Sequence, residues 1–99
     1  MADPGEHVTL RDVVVKRITE LLGKPQRIGH GEYWVHDFEK PQRNAPVTVV
    51  LNSWKTPNEV RVWIFDPRLP APDSVTFFEV EKISHIRRAI NGIKKAMKD

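Results

Sequence analysis

With 99 residues, 39% apolar and 29% charged side chains, the chain has the make-up of one soluble domain with a single modest core. It has no cysteine, which excludes disulfides, thiol chemistry and cysteine-ligated zinc, and no apolar run approaches the roughly 20 residues of a membrane helix. The net charge of +3 is unevenly placed: residues 82–99 set six Lys/Arg against Asp99, giving +5, and the remainder sets ten against twelve, giving −2.

Residues 1–8, with Pro4 and Gly5, read as a flexible lead to a single domain over 9–99. The lead has neither a basic n-region nor an apolar h-region, so the expectation is a cytoplasmic protein. Thr9 followed by Asp12 resembles a capping box, with Val8 and Val13 placed for a hydrophobic staple. Leu10, Val13, Val14, Ile18, Leu21 and Leu22 then recur at helical spacing up to Gly23 and Pro25, which predicts a helix over about 9–22.

Gly29, His30 and Gly31 interrupt the chain before a first strand, about 32–39. A loop between Pro41 and Pro46 leads to a second strand, about 46–54. Turn residues Lys55 to Asn58 lead to a third, about 59–66. Short connections make these an antiparallel meander. A stiff proline-rich loop follows, from Pro67 to Pro72. Residues 75–80 carry two signals. Their β propensity favours a fourth strand, while Thr76 with Glu79 and the spacing of Phe77, Val80 and Ile83 allow a helical start; the strand is preferred. From Ile83 a helix runs to 98, with Ile83, Ile86, Ile90, Ile93 and Met97 on one side and Arg87, Asn91, Lys94, Lys95 and Lys98 on the other. Gly92 inside it costs about 1 kcal/mol relative to Ala.

The fold class is therefore α+β. A single antiparallel sheet of three or four strands carries both terminal helices on its aliphatic face. The core should hold Leu10, Val13, Val14, Ile18 and Leu21 from the first helix and Ile86, Ile90 and Ile93 from the second. From the sheet it should take Val47, Val49, Leu51, Val60, Val62 and Ile64.

Alternation then supplies the functional expectation. Asn52 and Trp54 oppose Val49 and Leu51; Arg61, Trp63 and Phe65 oppose Val62 and Ile64; Trp34, His36 and Phe38 oppose Tyr33 and Val35. The face the helices leave bare would be aromatic with polar spots, which suits a protein interface or self-association. Exposed rings would also stack unpaired bases. The second candidate surface is the basic side of the last helix, Arg87, Arg88, Lys94, Lys95 and Lys98, which matches a phosphate backbone. No H-E-x-x-H spacing, glycine-rich phosphate loop or paired acid/base carboxylates stand out, so no metal or other cofactor is expected. His30 and His36 leave a small hydrolase as the remaining option.

The helix–three strands–helix order over most of residues 9–98 resembles the double-stranded-RNA-binding domain and the small toxin ribonucleases that share its fold. That domain places a lysine cluster at the start of its second helix. Here that stretch is Glu81, Lys82, Ile83, Ser84 and His85, with the lysines at the other end. The toxins carry a histidine after a glycine near the first strand, which Gly29 and His30 echo. The resemblance is one of topology and transfers no functional residue.

Overall fold

The structure is a computed structural model that describes residues 8–29, 31–36, 46–53 and 58–98. The chain begins with a helix, α1 (Leu10–Leu22), whose start is fully capped. The Thr9 side chain accepts from the Asp12 backbone N–H at 3.1 Å, and the Asp12 carboxylate accepts from the Thr9 N–H at 3.1 Å. Val8 is 70% exposed and adds no staple of consequence. At the other end Gly23, at φ 90°, donates its N–H back to Thr19 O and turns the chain away.

Five strands follow: β1 (Gln26–Ile28), β2 (Gly31–His36), β3 (Val47–Ser53), β4 (Val60–Phe65) and β5 (Val75–Val80). They form one antiparallel meander in the order β1-β2-β3-β4-β5. The sheet thus has one strand more than the upper expectation. The glycine break predicted before the first strand is the turn of a β1–β2 hairpin, with Ile28 opposite Gly31 and Gly29 at φ 56°. A positive φ is what two-residue hairpin turns require, and glycine supplies it without a Cβ penalty. Residues 75–80 are extended, as preferred from their β propensity. The second helix, α2 (Ile83–Ala96), ends the fold; Ile83, expected on its apolar side, is 67% exposed at the first position.

Both helices lie on the same side of the sheet. The α1 stripe of Leu10, Val14 and Ile18 and the α2 stripe of Ile86, Ala89, Ile90, Ile93 and Ala96 close over Val47, Val49, Leu51, Val60, Val62, Ile64 and Val80. Val13 and Leu21, expected in the core, are half-buried at its margin. Two polar networks tie helices to sheet. Arg11 pairs with Glu32 on β2 and donates to Ser53 Oγ on β3 at 2.6 Å, which fixes α1 across the sheet. After β4, Arg68 binds Asp66 through Nε and Nη2, both at 2.9 Å, and donates to the Ala96 carbonyl at 2.6 Å and to that of Lys98. One guanidinium therefore satisfies carbonyls that the end of α2 leaves open.

Candidate interaction face

The antiparallel register decides which side chains share a face. Reading across the strands, Gln26, Tyr33, Val50, Trp63 and Phe77 form one row. Gly31, Asn52, Arg61 and Glu79 form a second, and Val35, Thr48, Phe65 and Val75 a third. The buried strand residues occupy the alternate positions, and both helices cover that side. Among the described residues no element covers the three rows. Val35, Phe65 and Phe77 are each 39% exposed and Val75 43%, so this side presents apolar side chains to solvent.

Trp63 sits at the centre of this face, half-buried against the Phe77 ring, with centroids 4.4 Å apart and planes tilted by 35°. Arg61 stands beside them, its Cζ 5.7 Å from the Phe77 centroid and its Nη2 3.6 Å from Glu79 Oε1. Among the described residues the face is thus mostly apolar over two rows, with Gln26 and Thr48 as polar members, and carries the Arg61–Glu79 pair on the third.

Of the side chains expected here, Asn52, Arg61, Trp63 and Phe65 are on the open face. Trp34 is not, and the expectation is corrected. It pairs with Val49, is 2% exposed, and donates its indole N–H to the Gly23 carbonyl at 3.0 Å. The physical reason is the register: Trp34 is level with Val49 and Ile64, so alternation sends it to the helix side, where α1 ends. His36 pairs with buried Val47 and shares that side, so it too leaves the predicted set. Tyr33 and Val35 take their places. Phe38 and Trp54 lie outside the described residues, as does His30. Val50, Val75 and Phe77 complete the face and were missed, although alternation within 75–80 pairs Val75 with Phe77 once that segment is extended.

On the opposite side of the molecule, Arg87, Arg88, Lys94 and Lys95 are exposed on α2, and Lys98 is exposed just past its end. Arg87 and Arg17 flank a groove of about 410 Å³ between the two helices, floored by Val13, Ile83 and Ile86. The described residues include no group of three or more His, Cys, Asp or Glu placed to hold a metal ion. Among these residues, no helix is long and apolar enough to cross a membrane. The Asp66 carboxyl is held below its usual range, first by its hydrogen bond with the Arg68 side chain, against the opposing pull of burial. That pair anchors α2, and it faces the helix side rather than the open face.

No protein-family model, curated protein or solved structure matches this chain at a significant level.

Proposed function

We propose that this chain is a small non-enzymatic interaction module that meets a protein surface, a partner's or its own, through the open face of its sheet. The reading includes a cytoplasmic setting. The observation that carries it is the uncovered row of Tyr33, Val50, Trp63 and Phe77, flanked by Val35, Phe65 and Val75. Exposed aromatic area of this kind loses free energy in water and regains it when another surface excludes the solvent. Trp and Arg, both present at the centre, are the side chains that most often dominate interface energetics. The direct test places a photoreactive amino acid at position 65, on the open face, and in a second protein at position 91, on the outer side of α2. Covalent adducts formed in cells from position 65 and absent from position 91 support the reading. Adducts from position 91 alone contradict it.

A second reading, nucleic-acid binding, has its own observation: four exposed cations on α2 and Lys98 just past its end, extended by Arg17 across the groove. Phosphate contacts release counterions, so retention on nucleic acid should fall steeply as salt rises. A chain that fails to bind single- or double-stranded nucleic acid at low ionic strength removes this second reading.

A further inference from the structure

We infer that the occupant of the open face is a second copy of this chain, seated on the β4–β5 hairpin about a two-fold axis that runs between those strands in the plane of the interface. The inference rests on the interaction reading above and names its partner. The register of the hairpin fixes what such an axis brings together. A two-fold placed there sets each β4 residue of one copy opposite the paired β5 residue of the other. Arg61 then faces the partner copy's position 79, Trp63 its position 77 and Phe65 its position 75. All three juxtapositions are favourable: a cation meets a carboxylate, an indole meets a phenyl ring, and an aromatic ring meets a β-branched side chain. A surface must be complementary to itself to form an isologous interface, and this hairpin is so in every row. A two-fold perpendicular to the strands through Arg61 would instead bring Arg61 against its own copy.

The charge distribution agrees. Arg61 and Glu79 cancel on the open face, while the exposed cations of α2 all lie on the far side of the sheet. Facing sheets pack about 10 Å apart and each helix layer adds about 10 Å, so the two basic surfaces end roughly 30 Å apart. That exceeds the Debye length of about 8 Å at physiological salt, and the like charges do not oppose association. The six-residue β4–β5 hairpin covers roughly 200 Å² in plan per copy, so the pair buries less than the about 1,200 Å² at which stable interfaces begin. A contact this small makes the dimer weak and reversible.

The test is sedimentation equilibrium of the full chain from about 10 µM to 1 mM, with two charge variants, Arg61→Glu and Glu79→Arg. The wild type should move from the 11.5 kDa monomer toward twice that mass. Each variant alone sets like charges across the axis and should weaken self-association at least tenfold. An equimolar mixture of the two should associate to within a few-fold of wild type, because each copy then supplies the charge the other lacks. Mixing leaves the altered charge pair inside each chain unrepaired, so recovery cannot come from restored folding. A wild type that stays monomeric at 1 mM overturns the inference. So does a dimer in which both variants associate normally, or one whose mixture shows no recovery. A monomeric chain that still gives adducts to other proteins from position 65 loses the second copy as occupant and keeps the interaction face.

Discussion

At the scale of single residues, two tryptophans with similar surroundings in the sequence have opposite jobs. Trp34 is buried at the end of α1 with its N–H satisfied by Gly23, whereas Trp63 stands on the uncovered face. Truncating a buried aromatic costs about 3–5 kcal/mol through lost burial and the cavity left behind. Urea denaturation should therefore show a loss of that size for Trp34→Ala and less than about half of it for Trp63→Ala. Equal losses would mean that Trp63 also belongs to the core. Gly92 gives a second test, because helix propensity and packing disagree about it. Alanine is favoured over glycine inside a helix by about 1 kcal/mol. A Cβ here would stand only 2.7 Å from two atoms of the Phe78 ring, with Ile64 Cδ1 at 3.4 Å on the inner side. Overpacking typically costs about 1–3 kcal/mol, so Gly92→Ala should lower the melting temperature. Phe78→Leu should remove the conflict and let the same substitution stabilise the chain.

At the scale of elements, the Asp66–Arg68 anchor makes the attachment of α2 sensitive to acid. Asp66 has a folded-state pKa below its unfolded value, so its ionised form stabilises the fold. That contribution is complete above the unfolded pKa of about 3.9 and is lost as the pH falls through the depressed folded value. Unfolding free energies measured from pH 6 down to pH 2 should decline in this window, and the decline should be shallower in Arg68→Met, which loses the guanidinium that lowers the carboxyl. An unchanged profile would show that the pair contributes nothing to holding α2.

The same scale explains what could be read from the residues alone. Both helices have strong apolar stripes, α1 also has clear ends, and β3 and β4 alternate cleanly, so these elements and most of the core were legible. β1 was not: it is three residues long and exposed throughout, so no period-2 pattern exists to find. The face of β2 was misjudged because its alternating set is aromatic on both sides, Tyr33 against Trp34, and composition cannot rank them. Only the register with Val49 and Val50 does. For the candidate site, Arg61, Trp63 and Phe65 followed from opposition to an aliphatic set. Phe77 was lost to the competing helical signal in 75–80.

At the scale of the whole molecule, the chain divides its surface by chemistry. One side of the sheet is closed by helices whose outward faces are charged, and the other is left apolar with compensated charge. Among the described residues the buried core lies on the helix side of the sheet. The open face is where a solvent-excluding partner has most to gain. The α2 cations are exposed on the helix side of the sheet, away from the open face.

The most direct test of the open face as a meeting surface for two copies is the dilution dependence of backbone amide NMR shifts, followed from about 1 mM to 20 µM, a range set by the small contact area. The account predicts changes concentrated on β4 and β5, strongest around Trp63 and Phe77, with α1 and the outer side of α2 unmoved. Spectra that do not change with concentration, or changes confined to α2, would contradict it.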